Sequence, residues 1–242
     1  MDDQGLIAEQ VAYYRARAPK YDEWWQRSGA YARGAEIAEE WDRQVEQIEA
    51  ALDRFSVHGR VLELAGGTGW WTERLARTAD RLRVIDSSPE ALEINRTRTG
   101  RADVHYVVED LFSWTPDDVY DVVFFSFWLS HVPRGRFAAF WSMVRSCLAP
   151  AGRVFLIDNH RDPIPTPDIK DPYILQYEPD RHLRHLGDGR EYNVVKVMYE
   201  PEELAARLKD NGWTAKIKAT RWFLFGSARP SSGIPDPARS GP

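Results

Sequence analysis

The chain of 242 residues holds one cysteine, Cys147. A lone cysteine excludes an internal disulfide and a cysteine-rich zinc site. Its setting in FAAFWSMVRSCLAP reads as a buried helix position rather than a nucleophile. Long apolar runs are also missing, so no membrane span is expected. The opening residues MDDQGLIAEQ are acidic and polar, whereas a secretory leader is basic and then apolar, which makes a cytoplasmic location the expectation. Positive charge is in deficit: 32 Lys and Arg against 37 Asp and Glu leave a formal net charge of -5. A chain of that balance does not hold a polyphosphate backbone by general electrostatics, so neither nucleic acid nor membrane is expected as a partner. No internal repeat is visible. What the chain does have is a hydrophobic fraction of 43% and ten Trp, enough to build a sizeable core and to argue against wholesale disorder.

The order of patterns along the chain predicts an α/β fold. Residues 6–52 are helical in period and polar enough for a solvated amphipathic cap. RVLELAG (60–66) reads as a first strand, WWTERLARTAD (70–80) as a helix, and RLRVIDSS (81–88) as a second strand. Ser88 then suits a helix cap, with Pro89 at the first helical position and Gly100 as the stop. Third and fourth strands follow at 103–112 and 119–130, the fourth too apolar for a one-sided sheet. A helix from about Arg134 to Leu148 leads to a fifth strand at 153–160. Such alternation implies a mostly parallel sheet covered on both faces. Beyond His160 the pattern breaks into a proline-rich insert without a sustained period, expected to lie over the active face as a lid. A helix at 201–212 and two close strands, WTAKIKAT and RWFLFGSAR, complete the reading, the last pair antiparallel at one edge. The expected organisation is a helical cap at 1–59, a core at 60–229 with the insert at about 161–195, and a flexible tail at 230–242.

The stretch ELAGGTGWW (63–71) decides which ligand the core holds. A phosphate-cradling P-loop needs Lys and then Ser or Thr after the last glycine, and Gly69 is followed by Trp70 and Trp71. A dinucleotide fingerprint needs a third spaced glycine and would bring the Glu63 carboxylate against a pyrophosphate, where like charges repel. Both readings fail. Val61-Leu62-Glu63-Leu64-Ala65-Gly66-Gly67-Thr68-Gly69 resembles instead the first motif of the class I, seven-stranded S-adenosylmethionine-dependent methyltransferases, in their small-molecule branch, with Ala65 in place of the first glycine. The departure is tolerable if Ala65 stays at negative φ.

That resemblance implies a doubly wound, Rossmann-like mixed sheet of seven strands and S-adenosylmethionine as cofactor. It assigns Glu63 to the methionine end and lets the chain pass close to the ligand at Ala65, Gly66, Gly67 and Gly69. Asp86, with Ser87 beside it, would accept the ribose hydroxyls, and Asp110 would meet the adenine amino group between Leu111 and Phe112. Ser126 and Phe127 complete the cofactor wall. Upstream, Tyr14-x3-Ala18-x2-Tyr21-Asp22 resembles the segment before the core in small-molecule members, where an aromatic at the place of Tyr21 closes over the methionine moiety; Tyr14 is assigned to the same wall.

Methyl transfer draws much of its acceleration from positioning and desolvation, and needs a base only if the acceptor must lose a proton. His131, after the fourth strand in FSFWLSHVP, is the candidate base, and His160 at the end of the fifth strand is the second candidate for catalysis or acceptor contact. Trp24 and Trp128 are candidate acceptor contacts. Asp158, Asn159, His160 and Asp162 cluster oxygen and imidazole groups, yet no metal is assigned. His182 and His185, three apart, would share one helix face. The expected activity is methyl transfer to a small molecule, to oxygen before nitrogen, with specialised biosynthesis as a setting and a monomer or homodimer as the assembly. The alternatives are an N-methyltransferase of a small molecule or peptide, an NAD-dependent oxidoreductase on a similar sheet, and a non-catalytic cofactor-binding scaffold.

Overall fold

Strand β1 (Arg60–Leu64) is buried from Val61 to Leu64, which a strand can be only when both faces of its sheet are covered. The computed structural model describes residues 3–32, 34–160 and 173–231. Before β1 come the cap helices α1 (Asp3–Arg17), α2 (Asp22–Trp25) and α3 (Ala35–Phe55). In α3 the buried positions Trp41, Gln44, Ile48 and Leu52 recur every three or four residues, one stripe facing the sheet. After β1 the chain runs through α4 (Trp70–Leu75), β2 (Arg81–Asp86), α5 (Pro89–Thr99), β3 (His105–Val108), β4 (Tyr120–Ser126), α6 (Phe137–Ser146) and β5 (Leu148–Asn159). Helix α5 begins as its sequence indicates: Ser88 Oγ accepts from the Ala91 amide at 3.0 Å and Pro89 takes the first position.

The main sheet has seven strands in the order β3-β2-β1-β4-β5-β10-β9, where β9 is Trp213–Ala219 and β10 is Phe223–Pro230. Strands β3, β2, β1, β4 and β5 run parallel, and β10 is antiparallel to both β5 and β9. Alternate residues of the central strands feed two cores. Leu62, Leu64, Val123 and Phe125 pack with α6 and with α7 (Pro201–Asp210), while Val61, Val122 and Phe124 pack with α3, α4 and Trp25. The expected mixed seven-stranded sheet with N-terminal helices is the observed one.

The insert differs from its sequence reading. Residues after Tyr173 form a second, three-stranded antiparallel sheet of β6 (Ile174–Glu178), β7 (Asp180–His185) and β8 (Glu191–Lys196). Its strands ILQYE and DRHLRH carry many polar residues, so the two-residue alternation that marks a strand is faint. His182 and His185 consequently sit on a strand, where residues three apart point to opposite faces, and share no helix face. The part of the proposed lid at 161–172 and the tail from 232 lie outside the described residues. Strand β8 packs on α1: the Glu9 carboxylate accepts from the Asn193 amide at 2.7 Å, and Gln10 Oε1 accepts from the Val195 amide at 3.2 Å.

Candidate active site

A cleft of about 740 Å³, counted with its open mouth, lies at the carboxyl ends of β1 to β4. This is the crevice where strand order reverses between β1 and its two neighbours, the usual ligand position of open α/β sheets. Ala65, Gly67 and Thr68 form its floor, and Asp86, Ser87 and Ser88 one flank. Asp110 and Leu111 come from the segment after β3, and Ser126, Phe127 and Trp128 from the end of β4. Gln10, Val11 and Tyr14 of α1, with Ala18 and Tyr21, provide the roof, and His131 closes one end.

The turn after β1 is shaped by close packing. A Cβ on Gly66 would lie 2.3 Å from Val84 Cγ1, and one on Gly69, whose φ is +89°, would lie 2.6 Å from Asn95. Only glycine lets the turn settle onto β2 and α5. Asn95 Nδ2 then donates to the Gly66 and Gly67 carbonyls at 3.3 Å and to Thr72 Oγ1 at 2.8 Å. Ala65 does not keep a negative φ as its sequence reading required: its φ is +53°. A left-handed alanine is strained by about 1 kcal/mol. Ala65→Gly is therefore expected to raise unfolding stability by about 0.5 kcal/mol once the greater freedom of the unfolded glycine is subtracted. Chemical denaturation checks this, and a loss of stability would mean that the alanine methyl packs usefully.

Asp86 ends β2 and sits in the cleft wall with Oδ2 accepting from the Gly67 amide at 2.9 Å and Oδ1 from the Ser88 amide at 2.8 Å. Burial pushes its pKa up, and the amides of Ser88, Gly67 and Ser87 pull it back. Each oxygen keeps a second lone pair, so the carboxylate can still accept from a neighbouring diol. Asp110 Oδ1 accepts from the Phe112 amide at 3.0 Å, which aims the Leu111 segment at the cleft. A partly buried carboxylate opposite an apolar slot made by Leu111 and Phe127 fits a nucleoside.

Comparison with known proteins agrees with that chemistry. Residues 61–152 match the family model described as a methyltransferase domain. The structure of DhpI in complex with SAH is 36% identical, the match covering 96% of this chain and 100% of that one, with a TM-score of 0.77. The chain belongs to the class I S-adenosylmethionine-dependent methyltransferases. A DhpI complex with SAM and HEP is 37% identical over 95% of this chain and 100% of that one, with a TM-score of 0.76. The 1,6-didemethyltoxoflavin-N1-methyltransferase of Burkholderia thailandensis is 17% identical over 96% of this chain and 92% of that one, with a TM-score of 0.61, a likeness of fold. No curated protein sequence matches. Family membership sets aside the oxidoreductase and the non-catalytic scaffold, and S-adenosylmethionine is the cofactor.

The methyltransferase cleft brings together Tyr14, Tyr21, Ala65, Gly67, Asp86, Ser87, Asp110, Leu111, Ser126, Phe127, Trp128 and His131. Other expected site residues stand outside its wall. Gly66 and Gly69 pack backward, and Phe112 lies behind the wall against Trp128, ring centroids 5.2 Å apart. Glu63 is only 1% exposed and accepts the Thr72 hydroxyl at 2.6 Å beneath the turn, where burial pushes its pKa up to about 8. His160 places Nδ1 2.8 Å from the Thr220 carbonyl and Nε2 3.1 Å from Glu200 Oε2. Trp24 packs among Trp25, Trp41 and Phe127 at the junction of cap and core. Among the described residues no group of His, Cys, Asp or Glu could hold a metal ion.

Sequence reasoning passed over Gln10, Thr68, Asn95 and Asp22. Asn95 had a readable signal, a polar residue on the buried stripe of α5 with Leu92. Asp22 stands in the segment that resembles small-molecule members, but its role could not be read because its partners are remote. Its Oδ1 accepts the Thr68 hydroxyl at 2.6 Å, and its other oxygen pairs with Arg98. The cap is thereby clasped to the glycine turn. Asp22→Ala is expected to weaken SAH binding about fivefold, as one hydrogen bond that holds the turn is lost. Calorimetric titration measures this, and unchanged affinity would uncouple cap from cofactor.

Proposed function

We propose that the chain transfers a methyl group from S-adenosylmethionine to an oxygen atom of a small molecule. When bound, S-adenosylmethionine supplies a sulfonium methyl whose departure leaves a neutral thioether. The observation that carries the oxygen assignment is the charge around the His131 end of the cleft. Arg17, Arg184 and Lys196 are buried there, each at most 6% exposed, with the equally buried Asp158 carboxylate 4.0 Å from Lys196, so three cations stand against that carboxylate. Arg184 and Arg17 act on both Tyr14 and Tyr21, and Lys196 and Arg184 act on His131. Burial first, and those two cations next, hold the His131 pKa well below its ordinary value, so the ring is neutral at physiological pH. An amine acceptor arrives as an ammonium ion and is repelled by such a field, whereas a hydroxyl or an acid oxygen is stabilised as it gains negative character.

The DhpI complex that holds SAM and HEP makes HEP a first compound to test. The experiment supplies S-adenosylmethionine with a ¹³C-labelled methyl group to the protein and a panel of hydroxyl compounds, acids and amines that includes HEP. The ¹³C shift of the product separates O-methyl from N-methyl. Labelling of oxygen is expected; labelling confined to amines would overturn the assignment.

A further inference from the structure

Both ring nitrogens of His131 are engaged. Nδ1 lies 2.7 Å from the Val195 carbonyl oxygen, which can only accept, so Nδ1 carries the proton. Nε2 is then a bare lone pair, and the Tyr14 hydroxyl 2.8 Å away donates to it. No nitrogen of the imidazole is left to face an acceptor in the cleft. The phenol oxygen is different: it has given its proton to His131 and retains lone pairs of its own, and Tyr14 lines the cleft. The two rings meet edge to face with centroids 5.0 Å apart.

One side chain frames this pair. Gln10, a turn before Tyr14 on α1, donates through Nε2 to the His131 carbonyl at 3.2 Å and accepts through Oε1 from the Val195 amide at 3.2 Å. It therefore grips the backbone of the residue that bears the imidazole and of the residue that fixes its tautomer. Gln10 is 2% exposed, so the grip is shielded from water.

We propose that Tyr14 is the catalytic residue that takes the proton of the acceptor hydroxyl, while His131 behind it receives the proton Tyr14 gives up. The proposal rests on the oxygen-acceptor reading. In the step, the acceptor oxygen uses a lone pair to form the C–O bond, and the S–C pair stays on sulfur. The acceptor O–H breaks toward Tyr14 Oη as the Tyr14 O–H breaks toward His131 Nε2. Tyr14 begins and ends neutral, which suits a phenol whose ionisation burial strongly opposes. His131 ends as an imidazolium with Nδ1–H still donating to Val195. Lys196 on β8, Arg184 and His182 on β7 oppose that charge, but the site has just lost the sulfonium charge, so its total is unchanged. The imidazolium afterwards returns its proton to water.

The test has two readouts. The first needs no acceptor: ¹⁵N imidazole spectra of the protein saturated with SAH, wild type against Tyr14→Phe. The phenylalanine keeps the ring and removes the donor, so the His131 Nε2 resonance is expected to move toward that of an unbonded nitrogen while Nδ1 stays protonated. An unmoved Nε2 overturns the proposal. The second uses whichever hydroxyl compound the ¹³C panel shows to be methylated. Tyr14→Phe and His131→Asn are each expected to lower kcat about a hundredfold, with the double variant no slower than either alone, because both remove one path. Losses that multiply in the double variant, or a Tyr14→Phe rate within about threefold of wild type, would overturn it. A panel that yields only N-methyl products overturns the oxygen assignment, a result the spectra read separately from the Tyr14 to His131 contact.

Discussion

Asp86→Ala is expected to weaken binding of S-adenosylhomocysteine between tenfold and a hundredfold while the protein stays folded. A hydrogen bond to a charged group contributes about 1.5 to 3 kcal/mol, and the alanine variant would give up the proposed ribose contact of this partly buried carboxylate. It also frees the Gly67 and Ser88 amides, through which Asp86 ties the floor of the cleft to its flank. Asp86→Asn is the informative companion, since its carbonyl oxygen can satisfy one amide but carries no charge. Calorimetry on both variants measures the effect, and an alanine variant with wild-type affinity would remove Asp86 from the cofactor site.

The other large effect is one of stability against pH. Glu63 is held at a pKa of about 8 against an ordinary 4.5, first by burial and then by the Asp86 charge, with the Thr72 hydroxyl pulling the other way. The folded protein therefore keeps a proton that the unfolded chain releases. The stabilisation is full below about pH 4.5 and is lost as the pH rises toward 8. Glu63→Gln preserves the neutral shape and an oxygen for Thr72. It is expected to match wild type near pH 4.5 and to exceed it above pH 8 by on the order of 5 kcal/mol, a melting-point gain of roughly 10 to 20 °C. Parallel melting curves with no difference between the two pH values would show that the carboxylate is solvated after all. Affinity for S-adenosylhomocysteine is expected to change little, because Glu63 lies beneath the turn; a collapse of affinity would return it to the ligand.

What could be read from the sequence was local. The parallel strands, the Ser88 cap and the carboxylates Asp86 and Asp110 each follow from a few neighbouring residues, and the structure places them at one sheet edge. Glu63 shows what such reading leaves out. Beside its place one step from a glycine turn, the alternation along β1 carries its side chain under the turn to Thr72. His160 is engaged similarly, by Thr220 and Glu200, about sixty and forty residues away. The pairing of Tyr14 with His131 spans 117 positions and leaves no trace in either segment's pattern. The β6 to β8 sheet was hidden because its outer strand is largely exposed and its polar side chains blur the alternation.

The Gln10 clasp has a consequence for how activity is acquired as the chain folds. The nucleoside half of the cleft is drawn from residues 65 to 128, a nearly contiguous stretch, whereas the roof and the His131 end require α1 to meet β8 across 185 positions. Closing a loop of that length costs on the order of 5 kcal/mol of chain entropy, which the sheet must offset before the clasp forms. A refolding chain is accordingly expected to regain part of its affinity for S-adenosylhomocysteine before it regains turnover.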